Sequence, residues 1–257
     1  MTPMNETDET DETDTTGEPD TTGEPEHGDP LHLARAIRPQ AFGSTRANDI
    51  RDPIMEPRWQ GIRVIAAVQG KETLFLDDGV EIEGPDQIRG ALIKTVGATT
   101  GGAVLDGYLT KLVAASEDDG QPVLETDLDK IPSVTRSFMI GTRRDRRAEA
   151  LKELAEEEAA RTFAEDDPVN FVITDLLWLD GEWLLDIPLL ERKRLLGSIV
   201  TGSDLIRAGA YVRPPLGTWI GSWRAQGFNG ITLKEANSRY RPGTKAADWA
   251  SSSMPRR

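Results

Sequence analysis

The segment "EPRWQGIR", residues 56 to 63, decides how the rest of the chain is read. It stands just ahead of "IRVIAAVQ" (62–69), an apolar run whose β-branched and small residues suit a strand. An acid, a basic residue, an aromatic, a glycine and a second basic residue give the segment the look of a reactive loop. Such a loop would be completed by a nucleophile and a carboxylate. The chain offers Arg58 and Gln60 in their places.

The chain has 257 residues, enough for one large domain or two small ones, and a net charge of −14. That charge is unevenly placed. Residues 1–30 hold eleven acids and no Lys or Arg, leaving 33 acids against 30 bases beyond them. With its "ETD" and "DTTGEP" repeats and few large apolar residues, this leader is expected to be a disordered acidic tail. A partner-binding or DNA-mimicking arm is the sharper alternative. The absence of cysteine excludes disulfides and thiolate metal sites. No apolar run approaches the roughly 20 residues of a membrane helix, and the acidic N-terminus does not read as a signal peptide. A cytoplasmic protein without membrane contact is the expectation, and oligomeric state is not legible.

Outward from the opening segment, "TLFLDD" (73–78) reads as a strand joined to 62–69 by a turn at Gly70–Lys71. "PDQIRGALIKTV" (85–96) sets Ile88, Ala91, Leu92 and Val96 on one helical face. "AVLDGYLTKLVAA" (103–115) reads as two short strands interrupted by a hairpin signal at Asp106–Gly107, with an acidic loop at 117–120 beyond. Residues 142–165 read as a helix with capping-box spacing at Thr142 and Asp145. Its four early arginines oppose the helix dipole, which calls for tertiary carboxylates or a facing phosphate. "NFVITDLLWLDGEWLLDIPLLERKRLL" (170–196) gives a buried strand, an Asp180–Gly181 turn to a second strand, and a helix with Pro188 in its first turn. Trp219 and Trp223 stack at i, i+4 in a short helix at 217–228, "NGITLK" (229–234) is a strand, and 240–249 is a loop. The four tryptophans Trp178, Trp183, Trp219 and Trp223 read as packing groups. Strands and helices without regular βαβ alternation indicate an α+β fold of antiparallel sheets.

Several of these segments, in this order, resemble the adenylation domain of ATP-dependent DNA ligases. "EPRWQGIRV" is similar to that family's E-x-K-x-D-G-x-R motif, "LDGYLT" to L-D-G-E, and "FVITDLLWLDG" to F-x-x-F-D-L-L-x-L-D-G. "LLDIPLLERKRLL" is similar to the segment that follows, and "GFNGITLKEANSRYRPGTKAADW" to E-G-I-V-x-K with Y-x-P-G and a later Trp. The resemblance covers about residues 50 to 250. It implies a ligase-type nucleotidyltransferase domain, with ATP-grasp-like antiparallel sheets flanked by helices, over residues 31–253. The family's reaction begins when a lysine amine attacks the α-phosphate of ATP. AMP then passes to a 5′-phosphate at a nick, and the 3′-hydroxyl displaces it. Positioning, cations and a divalent metal carry each phosphoryl transfer.

The departures fall on that chemistry. Arg58 occupies the lysine position, and a guanidinium stays protonated and supplies no free amine. Gln60, Tyr108 and Asn229 stand where the family has carboxylates, Thr174 where it has an adenine-stacking aromatic, and Ser251 and Ser253 where it has phosphate-contacting lysines. The chain ends at Arg257, which implies no C-terminal OB-fold domain. Gly61, Asp106, Gly107, Asp175, Gly230, Pro242, Gly243 and Trp249 persist. Glu56, Arg58, Arg63 and Lys234 remain as a residual cofactor-binding set for ATP or AMP, with no catalytic residue and no divalent metal expected. The reading is a ligase-like pseudoenzyme that binds a nucleotide, DNA ends, or a DNA repair or ligase protein. Its rivals are an active nucleotidyltransferase using a displaced lysine (Lys71 or Lys111) or a partner's, and a structural interaction protein. His27 and His32 lie in or beside the tail, so the core has no histidine for acid–base work.

Overall fold

A computed structural model describes residues 28–111, 168–214 and 217–254. The acidic leader through residue 27, the acidic loop at 117–120 and the helix expected at 142–165 lie outside the described residues.

The first element, α1 (Pro30–Ala36), has a clear cause. Asp29 caps it by accepting from Leu31 N at 2.9 Å, and Pro30 fits the first turn, where its missing N–H is no loss. Strands β1 (Ala41–Phe42) and β2 (Pro53–Pro57) follow. Next come β3 (Ile62–Gln69), β4 (Glu72–Asp77) and β5 (Val80–Glu81). Gly70, at φ 56°, makes the turn between β3 and β4 that the sequence indicates. Helix α2 (Asp86–Leu92) continues into a π-turn at Ile93–Gly97 and buries Ile88, Leu92 and Val96 as its spacing predicts.

Strand β6 (Ala103–Thr110) differs from expectation. It runs unbroken through Asp106–Gly107, where the dipeptide signalled a hairpin. Pairing on both sides overrides the local preference, with β3 along one edge and β7 (Asn170–Leu179) along the other. The register against β7 shifts at Val104/Leu105 and again at Asp106/Gly107. A Cβ on Gly107 would fall 2.5 Å from the Val172 carbonyl oxygen, so this glycine serves close strand approach rather than a turn.

Strand β8 (Glu182–Trp183), helix α3 (Leu189–Ile199) and strand β9 (Ile206–Ala208) complete the larger sheet and its cover. Pro188 sits at the N-cap of α3. The sheet runs β5-β4-β3-β6-β7-β8, with β9 parallel to β7 and every other pairing antiparallel. Strand β7 reads as a continuous apolar run because both of its faces are covered. On one side lie Phe75, Leu105, Phe171 and Ile173 with Ile88, Leu92 and Leu196 of the helices. On the other lie Ile65, Leu76, Val104 and Leu177 with Ala34 of α1.

After α4 (Gly217–Ala225), strands β10 (Gly230–Glu235), β11 (Lys245–Ala246) and β12 (Trp249–Ser253) close the chain. A three-stranded antiparallel sheet runs β12-β10-β2, and β1 pairs with β11 in parallel. Ile231, Leu233, Met55 and Ala250 bury one face of the smaller sheet with Trp59, Trp223 and Phe228. Trp219 and Trp223 stack at 6.2 Å between centroids, with Trp219 exposed. The architecture is the expected mixed α+β arrangement of mostly antiparallel sheets.

Candidate functional site

Strand β2 brings Glu56 to the face of the smaller sheet opposite its apolar core. In register with Glu56 is Thr232 of β10, and Thr232 pairs in turn with Ser251 of β12. Side chains two residues apart on a strand share a face, so Lys234 joins Glu56 and Thr232 there. Glu56 is buried and gripped by two lysines. Lys234 Nζ lies 2.8 Å from one carboxylate oxygen, and Lys193 of α3 contacts the other. Burial alone would raise the Glu56 pKa, but the two ammonium groups outweigh it and hold it below the usual carboxylate value. Burial lowers the Lys193 pKa and Lys234 adds to that, with Glu56 only partly offsetting them. Trp249 presents its ring 4.4 Å from Lys234 Nζ, and Tyr211 lies 5.7 Å from Lys193 Nζ.

Arg58 begins the loop that leaves β2. Its backbone N donates to Gly230 O at 2.9 Å, and its Nη2 donates to Asn229 Oδ1 at 2.9 Å. The residues at the lysine position and at one carboxylate position of the family pattern are therefore bonded to each other. Trp59 anchors the loop beneath, buried and edge-on to Phe228 at 4.9 Å. Gly61 turns the chain into β3 at φ 124°, where an added Cβ would lie 2.1 Å from Leu109 O. Only glycine fits that position.

Arg63 points elsewhere. Its Nε and Nη2 donate to the two oxygens of Asp106 at 3.0 and 2.6 Å, and its Nη1 donates to Gln40 O at 2.8 Å. Tyr240 donates its hydroxyl to the same carboxylate at 2.8 Å and accepts from Gln40 N at 3.0 Å. Although burial opposes the charge, Asp106 raises the Arg63 pKa well above its ordinary value. Burial pushes the Tyr240 phenol up and Asp106 adds to that. A parallel clamp lies deeper, where Arg192 of α3 donates to both oxygens of Asp175 at 2.8 Å. Its other contacts are the carbonyls of Ile187 and Ser238.

Of the residues expected to hold a cofactor, Glu56 and Lys234 are in direct contact. Arg63 reaches them through Phe42, whose ring lies 5.9 Å from its guanidinium and 6.0 Å from the Lys234 ammonium. Arg58 lies farther along β10, at Asn229 and Gly230. Lys193 is the member that sequence reasoning missed. A signal for it was present, since Leu189, Arg192, Lys193 and Leu196 occupy one i, i+3, i+4, i+7 stripe of α3 and all four are buried. Two cations on the core stripe of a helix call for buried carboxylates, and Asp175 and Glu56 supply them. Among the described residues no group of three His, Asp or Glu is placed to hold a metal ion. Asp106 and Asp175 are each bound through both oxygens by an arginine, and Glu56 by two lysines, so this donor set does not suit a divalent cation.

The ATP dependent DNA ligase domain family matches this chain over residues 44–251. A DNA ligase of Methanothrix thermoacetophila is 34% identical over 99 residues, which are 35% of this chain and 16% of that protein. DNA ligase 2 of Haloquadratum walsbyi is 25% identical over 229 residues, 87% of this chain and 32% of that one. The chain thus spans under a third of the length of these relatives. The crystal structure of the ligase domain of LigD from M. tuberculosis shares its fold at a TM-score of 0.57 and 20% identity, covering 85% of this chain and 60% of that one. A mycobacterial DNA ligase D complexed with ATP and MES aligns at 0.56 and 20% identity, over 84% of this chain and 60% of that one. With the motifs in order, the sheets in place and the family matched across most of its length, this chain belongs to the ATP-dependent DNA ligase domain family.

Proposed function

We propose that the chain is a ligase-like module that does not form the lysyl-adenylate and acts by binding a nucleotide, a DNA end or a repair partner. The observation that carries this reading is the pair Arg58–Asn229. A guanidinium stands at the nucleophile position and holds the amide that stands at a carboxylate position. The first is no nucleophile at neutral pH and the second is no metal ligand of the family's kind. Three binding-type residues support retained recognition: Arg58, Lys234 and Glu56.

A displaced lysine is the rival. Lys71 and Lys111 are exposed, the first at the turn between β3 and β4 and the second just past β6. Lys193 has the lowered pKa that a nucleophilic amine needs, but its side chain is 1% exposed and packed on Glu56. It serves as a clamp. Partner, cytoplasmic setting and acidic tail belong to the same proposal, as they follow from the family's chemistry and from the composition. The test is incubation of the purified chain with α-labelled ATP and Mg²⁺ or Mn²⁺. No covalent AMP is expected; a stoichiometric acid-labile adduct, mapped to any lysine, overturns the reading.

A further inference from the structure

The segment "RYRPGTK" (239–245) carries Arg239, Arg241 and Lys245, and all three are exposed. Ser238 and Tyr240 are buried between and beside the two arginines, so both guanidinium groups leave the chain on its outer side. The turn at Pro242–Gly243 follows. Gly243 N donates to Arg38 O at 3.0 Å, and Thr244 Oγ1 donates to Arg241 O at 2.9 Å. The turn returns Lys245 to the side of Ala41 in the β1–β11 pair. Arg38 thereby joins the group, with its Nη1 donating to the backbone carbonyls of Arg35 and Ile37. Among the described residues none of these four cations has a carboxylate within ion-pair distance. Arg35, Arg194 and Arg213, also on the surface, each have one. The strip is a local excess of positive charge on a folded part that is otherwise near balance, with 33 acids against 30 bases beyond residue 30.

The complementary excess of acid belongs to the same chain. Residues 1–30 hold eleven acids and no Lys or Arg, and Asp29 caps α1, which leaves ten acids in residues 1–27. The leader joins the fold at Gly28, just before α1. From there to Arg38 the path is one short helix and a few extended residues, on the order of 20 Å. About six extended residues cross that span, so the acids from Asp20 back toward the N-terminus all reach the strip. A single exposed ion pair is weak and screened by salt. Several pairs formed at once by a tethered segment are not, because the tether sets an effective concentration on the order of mM. We propose that residues 1–27 dock in cis on the strip of Arg38, Arg239, Arg241 and Lys245, so that any other polyanion occupies it only by displacing the leader. The contact gives the leader a partner within its own chain, and it is independent of whether the chain forms a lysyl-adenylate.

The test is cross-linking of the full chain with a water-soluble carbodiimide, which joins a carboxylate directly to a lysine amine. Mass spectrometry then identifies the lysines linked to the leader. Lys71 is the internal comparison. It is exposed, and with Asp29 and His32 it lines the hollow beside the first turn of α1, nearer to where the leader joins. Tethering alone therefore favours Lys71, and docking favours Lys245. At low salt the leader–Lys245 yield is expected to be several times the yield at Lys71, confined to the monomer and independent of dilution. In 1 M NaCl, where the screening length falls to about 3 Å, that excess should vanish. Arg239→Ser with Arg241→Ser keeps the Lys245 amine and changes two exposed side chains. It is expected to lower the Lys245 yield about fivefold, the worth of two surface ion pairs, and to leave the Lys71 yield unchanged. Inorganic polyphosphate should lower the Lys245 yield as it displaces the leader. A Lys71 yield equal to or above that at Lys245, or a Lys245 yield unmoved by salt or by the double substitution, overturns the docking. Leader–Lys245 links found in covalent dimers overturn its being in cis, and a yield indifferent to polyphosphate overturns the displacement.

Discussion

Arg58 and Arg63 lie five residues apart on one segment and behave differently. Arg63 grips both oxygens of Asp106 and is tied by Tyr240 and Gln40 into the interior. Arg58 is half-buried on a loop and donates to an amide. The family pattern keeps Arg63 and has a lysine in place of Arg58. The contrast separates what the fold requires from what the reaction requires. A buried charge must keep its carboxylate, because losing either partner strands the other in a low dielectric. A half-buried loop residue carries no such constraint, provided its neighbour accepts it. Asn229 does so for Arg58.

The buried clamps give the largest expected effects. Glu56→Gln leaves two buried ammonium groups facing an amide and is expected to cost about 4–5 kcal/mol in urea unfolding at pH 7. It should also flatten the acid limb. The Glu56 pKa is lower folded than its ordinary value of 4.5, so its stabilisation is present above that pH and is lost as pH falls through the lowered value. Wild-type stability should drop there and the variant's should drop less. An equal acid slope in both would detach Glu56 from the lysines. Arg192→Met strands Asp175 and is expected to cost about 3–4 kcal/mol by the same measurement.

The loop itself should respond less to stability probes. Gly61→Ala forces a Cβ into the Leu109 carbonyl at a left-handed φ and is expected to cost about 2–3 kcal/mol. At the small end, Arg58→Lys with Gln60→Asp is expected to change stability by less than about 1 kcal/mol, since Arg58 is only half-buried and the lysine keeps a cation there. It should restore no nick sealing, because Tyr108 and Asn229 remain. Recovered sealing would show that the contrast between the two arginines is shallower than the structure suggests.

Much of the fold was legible. The β3–β4 hairpin, the α2 face, β7 and α3 each carry a period or a turn residue that acts locally. Asp106–Gly107 misled for a physical reason: its turn preference is a local energy, and it lost to pairing along both edges of β6. Strand β2 was also missed. Only five residues long and with a proline at each end, it has little local signal, yet it delivers Glu56 to Lys193 and Lys234. Of the site, identities could be read but not contacts. Glu56 and Lys234, far apart in the chain, could be placed on each other only by the β2–β10 register.

The sequence by itself determined the family and put Arg58, Gln60, Tyr108 and Asn229 at its motif positions, because both depend on which functional group stands at which place in the chain. The tertiary structure decided what the replacements do. It bonded Arg58 to Asn229, closed Lys193 and Lys234 on Glu56, and left the Thr232 hydroxyl without a partner among the described residues. Those outcomes turn on distances between strands remote in sequence, and no local pattern encodes such distances.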